Sequence, residues 1–293
     1  MAKDIDRKYS VQVINIKLQT DKEGDEKTKA YEMLFKRLVR KKILESIGEN
    51  KAMIIYSYYE SGTSKNVRFL YGYISKGIYF DKDEVNTLSI EKSENVKTKS
   101  DRDSILAPKT NLYIFIPSIH KFCLIHKQDE YISINEVYRF LKTGIEKIRD
   151  EEDIVEIEIV KEPGITDEIL NAFAIQYLDY TISYTNDDPT SSQMQLFDNR
   201  LKKIQAGNAH IQLKADHHGE LNKDEPDELI EGGIRLAEMN GTINEAVIKV
   251  SEKEKWIKVS NKKSPRVIII QAFENTFKET IVSKIYQIFQ NLL

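Results

Sequence analysis

Several strands in the second half of this chain are apolar on one side only, and that alternation constrains the fold more than any motif does. Val155, Ile157 and Ile159 alternate with Glu156 and Glu158. Asp179, Thr181 and Ser183 share one side of a second strand, His210, Gln212 and Lys214 one side of a third, and Glu245 and Lys249 one side of a fourth. Successive side chains of a strand point to opposite faces. A sheet covered by helices on both faces shows continuous apolar runs instead. The pattern therefore predicts a sheet with helices on one side and a polar face that is open to solvent, to a partner or to the N-terminal half. That face lacks the paired aromatics on which RNA-recognition sheets stack bases.

The densest group of chemically capable side chains is in Asn208–Leu221, NAHIQLKADHHGEL. It begins as a period-2 strand and runs into Asp216, His217, His218 and Gly219. A carboxylate and two imidazoles can ligate a metal. A closed site needs about four ligands, and adjacent histidines at a strand end point apart. No His-x-His or His-Glu-x-x-His spacing accompanies them, so the stretch reads first as an exposed loop. A nuclease reading takes Asp198 with Gln212, Leu213 and Lys214 as a variant of the metal-dependent PD-(D/E)xK pattern. There a carboxylate holds Mg2+ or Mn2+ and the lysine orients the attacking water. A second carboxylate is missing, and Asp198 falls in a predicted helix rather than on a neighbouring strand.

Charge divides the chain. Residues 1–150 carry 28 Lys+Arg against 22 Asp+Glu, and residues 151–293 carry 16 against 25. We expect a basic domain over 1–150 and an acidic one over 151–293, the latter ending in an amphipathic helix. In the first, strand Tyr9–Leu18 precedes helix Lys27–Ile47, with Gly48 as its stop. Strands Ala52–Glu60 and Val67–Ser75 follow, then two short strands, a polar loop over Lys92–Arg102, a hairpin around Ser118-Ile119-His120 and helix Ser133–Arg149. Ser133 and Glu136 have the spacing of a capping box. The order predicts an α+β fold, an antiparallel ferredoxin-like or TATA-box-binding-protein-like layer. In the second half strands alternate with helices, which predicts a mixed sheet with some parallel pairing. Asn186-Asp187-Asp188-Pro189 is a strong turn signal. Phe277, Ile281, Ile285 and Phe289 form a stripe on the last helix that serves either a dimer or the protein's own core.

Lys36, Arg37, Arg40 and Lys41 lie on the polar side of the first helix. They could neutralise phosphates or form an ordinary solvated face, since the preceding acidic run Asp21–Glu26 offsets the charge. Tyr56, Tyr58, Phe69, Tyr71 and Tyr73 make an aromatic ladder that stacks bases if exposed, although such ladders usually pack as cross-strand pairs. The glycine signatures of P-loop NTPases and dinucleotide enzymes are missing, as is the Gly-x-Ser-x-Gly elbow of serine hydrolases. Cys123 is the only cysteine. It excludes an internal disulfide and fits a reducing cytosol, and its apolar strand implies burial, not nucleophilic chemistry. No run approaches the ~20 apolar residues that span a bilayer, and MAKDIDRKYS has no apolar signal core.

YEMLFKRLVR, FLYGYI with IYFD after it, NLYIFIPSIHKFCLIH, and YLDYTISYTNDDP followed by LAEMNGTINEAVIKV resemble an uncharacterised bacterial domain-of-unknown-function family. That family is associated with phage-defence and mobile-element genes. The resemblance covers nearly the whole chain. It implies a cytoplasmic bacterial protein of anti-phage defence and supplies no catalytic residues; the double histidine is not among its features. Together these readings lead us to expect a protein without catalysis of its own. Its basic half would contact nucleic acid or a nucleoprotein, and its acidic half would assemble with a protein partner or a second copy. The alternative is a metal-dependent nuclease or toxin-like effector.

Overall fold

The computed structural model describes residues 6–19, 22–80, 84–89, 94–99, 104–126, 132–183, 192–217, 219–222, 228–261 and 265–290. The first half runs β1 (Asp6–Gln19), α1 (Gly24–Arg40), β2 (Leu44–Gly48), β3 (Lys51–Ile55), β4 (Tyr59–Gly62), β5 (Arg68–Ile78), β6 (Glu84–Ser89), β7 (Glu94–Lys99), β8 (Leu106–Ile116), β9 (Lys121–His126) and α2 (Ile134–Glu146). The second runs β10 (Ile154–Ile159), α3 (Ile165–Leu170), β11 (Ala174–Ser183), α4 (Ser192–Lys203), β12 (Asn208–Lys214), a π-turn (Glu228–Gly232), α5 (Gly233–Asn240), β13 (Gly241–Lys249), β14 (Ile257–Val259), β15 (Val267–Phe273) and α6 (Phe277–Gln290).

β1 organises the larger sheet. One flank pairs with β9; the other takes β15 along Asp6–Gln12 and then β10 along Ile14–Gln19. The sheet continues from β9 through β8, β5 and β3 to β2. Ile14, Ile16 and Leu18 point into a core with α1 and α2, where Tyr31, Phe35, Phe122, Phe140 and Leu141 are buried. Tyr9, Val11 and Val13 point the other way, into a second core with Cys123, Ile268, Ile270, Ile281 and Ile285. Here helices cover both faces, because α6 returns from the end of the chain to pack on the side away from α1. Its Ile281, Val282 and Ile285 are fully buried, and Phe277 stacks on Tyr9 with centroids 4.8 Å apart. The stripe on α6 therefore closes the protein's own core.

The smaller sheet has the order β12-β11-β13-β14. Leu178, Tyr180 and Ile182 face a third core with Met194, Phe197, Ile234 and Leu236 from α4 and α5. Every pairing among the described residues is antiparallel, which corrects the expected mixed sheet. The helical connection from β11 to β12 closes at the end of the sheet where it began, so Ser183 lies opposite Asn208. A parallel crossover would have to start again at the other end.

Two boundaries differ from expectation. Helix α1 stops at Arg40: Lys42 turns to φ 46°, and β2 pairs with β3. In β2, Glu45 and Ile47 are buried while Ser46 and Gly48 are exposed, the two-residue period of a strand. The polar stretch expected as a loop contains β7, hydrogen-bonded to β6; a backbone ladder needs no apolar period. The turn at 186–189 lies outside the described residues. The capping box is present, with Ser133 Oγ accepting from Glu136 N at 3.3 Å and Ser133 N donating to Glu136 at 2.9 Å. α5 passes directly into β13 at Gly241, where a Cβ would lie 1.9 Å from the Thr181 carbonyl oxygen.

Residue 150 falls between α2 and β10, and both β10 and β15 return beyond it to the larger sheet. The two sheets meet at Lys17. Its side chain is 1% exposed and its ammonium donates to Glu158 of β10 at 2.8 Å and to the Asn240 carbonyl at 3.2 Å. Ser183 of β11 donates to the same Glu158. Removing one partner of a buried ion pair strands the other charge. Glu158→Ala should therefore cost about 3–5 kcal/mol. Urea unfolding should show a smaller loss for the Lys17→Met, Glu158→Met double change than for Glu158→Ala alone.

Candidate binding cleft

Where the sheets meet they leave a cleft of about 610 Å³. One wall is α2, presenting Asn135, Tyr138 and Lys142 at helical spacing. The floor is β10 from Val155 to Ile159, continuing to Lys161. The opposite wall is the polar side of the smaller sheet, with Thr181, Ser183, Asn208, Thr242 and Asn244. The alternation read from sequence is what makes that wall polar. Along β11, Leu178, Tyr180 and Ile182 turn to the core, so Asp179, Thr181 and Ser183 turn away from it.

Asp179 is the hub of the polar wall. It accepts from His210 Nε2 at 2.8 Å, Gln212 Nε2 at 2.9 Å and Asn244 Nδ2 at 2.8 Å. Asn244 also donates to Thr181 at 3.0 Å. Burial pushes the Asp179 carboxyl up, but the bonds from Asn244, His210 and Gln212 outweigh it and hold it below the ordinary carboxylate range. With the Tyr177 hydroxyl, which donates at 3.3 Å, it is an acceptor locked in place by four donors, a poor arrangement for a general base. Asn244 was invisible to the alternation because the register shifts between Asp179 and Tyr180, so β13 offers two residues there where β11 offers one. Glu245 pairs with Lys258 at 2.9 Å. At the floor, burial pushes the Lys161 ammonium below its usual range, and Glu158 works against that shift.

The structure distributes the other predicted residues widely. Gln212 and Lys214 are on the polar face of β12, whereas Asp198 is buried in α4 beside Phe197, on the helical side of the sheet, 2.6 Å from Lys202. These three are not brought together. Asp216 and His217 are exposed, 3.5 Å apart, and His218 lies outside the described residues. Among the described residues no three His, Cys, Asp or Glu side chains are grouped to hold a metal.

On α1, Lys36 pairs with Glu32 at 2.5 Å and Glu60 at 2.6 Å, Arg37 with Asp150 at 2.7 Å, and Arg40 donates to the Tyr58 hydroxyl at 3.0 Å. Lys41 is exposed at the helix end. The aromatic ladder splits. Phe69 is 1% exposed and belongs to the core, while Tyr56 and Tyr73 are exposed and stacked at 6.2 Å. Tyr59 tilts on Tyr71 at 5.4 Å, and the Lys278 ammonium is 4.2 Å from the Tyr71 ring centre. Cys123 is buried, and burial pushes its thiol up to about 12.

Fold and cleft together define a class: an antiparallel α+β protein with a polar cleft between its two main sheets. Among the described residues, no helix is long and apolar enough to cross a membrane. Over residues 7–289 the chain matches the domain-of-unknown-function family DUF4747, and it belongs to that family. No curated protein matches it.

Asp179→Ala should leave four donors without this acceptor and cost about 1–3 kcal/mol in urea. Because the folded carboxyl is held low, its stabilising contribution is complete above the ordinary aspartate value of about 4 and is lost as pH falls through the lower folded value. An Asp179→Asn variant should show a correspondingly shallower loss of stability over that acidic range.

Proposed function

We propose that this chain is a binding protein without catalysis of its own, and that the cleft between its sheets holds a protein partner. The carrying observation is the cleft's composition: hydroxyl, amide and charged groups, with its aspartate hub committed to fixed hydrogen bonds. Walls of this kind suit directional recognition of polar groups, which supplies specificity at a preformed site. A place in anti-phage defence is a proposal carried by the sequence resemblance alone. The test is recovery of partners by the tagged full-length protein from its source cells. Thr242→Trp, which fills the cleft, should lose a partner that wild type and the exposed control Ile204→Ser both retain. An identical partner set for all three would sink this reading.

Tyr56 and Tyr73 favour a second reading, contact with single-stranded nucleic acid. Exposed aromatics stack on bases of any sequence at about 1–3 kcal/mol each, and the Lys278 ammonium over Tyr71 adds a cation beside them. The cations of α1 are largely engaged within the protein, so the tyrosines carry this reading in their place. Anisotropy of a labelled oligonucleotide should show binding that weakens with salt. It should fall about tenfold or more in Tyr56→Ala, Tyr73→Ala and change less in Lys36→Glu, Arg37→Glu, Arg40→Glu. No binding at low salt removes the reading; the opposite order of effects returns the contact to α1.

A further inference from the structure

β10 is the edge strand of the larger sheet along the cleft floor. Among the described residues it is paired on one side only, with β1. In an antiparallel ladder alternate residues turn both backbone groups to the partner strand. Val160 N donates to the Val13 carbonyl at 2.9 Å, which fixes the phase. Glu158, opposite Asn15, and Glu156, opposite Lys17, turn their backbone groups toward β1. Val155, Ile157 and Ile159 turn theirs the other way, into the cleft. Ile16 N agrees with this phase, since it donates across β1's other flank to the His120 carbonyl. The free edge ends beyond Ile159, where Lys161 bridges to Pro265.

We propose that the cleft takes an extended segment of a partner polypeptide, which adds to β10 as a further strand. This rests on the reading of the cleft as a partner site and names the form of the partner. Three outward N–H groups and three outward carbonyls along six residues, about 20 Å of strand, match the backbone of one extended segment of similar length. Main-chain bonds of this kind hold the segment regardless of sequence, and the walls read its side chains. Tyr138 and Asn135 of α2 meet those on one side, and Thr181, Thr242 and Asn244 those on the other. The floor and rim set Lys142 and Lys161 against Glu156 and Glu158. Glu158 is already matched by Lys17 at 2.8 Å. The segment therefore carries an acidic side chain that meets Lys142, which is exposed.

The test is selection of displayed random peptides on the full chain, followed by titration of the best binder. Binding should weaken at least about fivefold when alternate peptide nitrogens are methylated, and hardly at all at the positions between. Lys142→Glu should weaken it, and Thr242→Trp should block it. Amide exchange followed by NMR should slow at Val155, Ile157 and Ile159 on binding, and stay unchanged at Glu156 and Glu158. Suppose instead that the peptide shifts the resonances of Thr181, Thr242 and Asn244 while those three amides keep their rates and methylation is tolerated throughout. The cleft then binds by side chains alone, and strand addition is overturned while the partner site stands. Recovery of no peptide that Thr242→Trp blocks overturns both.

Discussion

An ammonium with almost no exposure sets the terms of this fold. Removing Lys17 from water costs several kcal/mol unless its charge and protons are met. They are met by Glu158 and by the carbonyl of Asn240, which lie 141 and 223 residues away in sequence. The orientation of β1, the register of β10 and the junction of α5 with β13 are thereby specified together. A one-residue slip of β10 would move Glu158 to the other face. Lys17 would then face an isoleucine. Apolar contacts alone tolerate neighbouring registers; a buried charge with two distant partners does not.

The same constraint accounts for the cleft's shape. Val155 and Ile157 pack toward the core under α2, so the strand that forms the floor is anchored by its apolar side. The polar side of β11 is held by the network on Asp179 rather than by packing. Both walls are therefore ordered before anything enters, and less conformational freedom has to be lost on association. The exposed backbone of β10 is a general hazard for an edge strand. Here α2 and the second sheet stand on either side of it, so the approach of another flat sheet is blocked while a single chain fits.

Sequence pattern disclosed the parts of this arrangement that depend on local period. The polar side of β11 and β12, the capping box at Ser133 and the hairpin at Ser118–His120 follow from alternation and local hydrogen bonding. What it could not disclose depends on contacts distant in sequence. β10 and β15 alternate like the strands around them, and nothing local says that they join β1. The end of α1 was misplaced because Leu44 extends the apolar stripe of Leu34, Phe35 and Leu38 and Gly48 reads as a helix stop; pairing of β2 with β3 overrides that preference. Asn244 was missed because a register shift breaks the two-residue period. Lys17 was the readable signal passed over: a lone charge among Ile14, Ile16 and Leu18 is a charge that must find a buried partner.

β10 and β15 lie end to end along one flank of β1, and the chain between them builds the whole of the smaller sheet. Its two ends, at Lys161 and Pro265, touch through a backbone bridge. Topologically the smaller sheet is an excursion of roughly a hundred residues launched from a gap between two collinear strands. Closing a loop of that length adds only slowly to the entropic cost as the loop grows. Such an excursion can lengthen, shrink or be exchanged among relatives while β1 keeps its neighbours. Variation among members of this family should therefore accumulate between those two residues, with the larger sheet changing least.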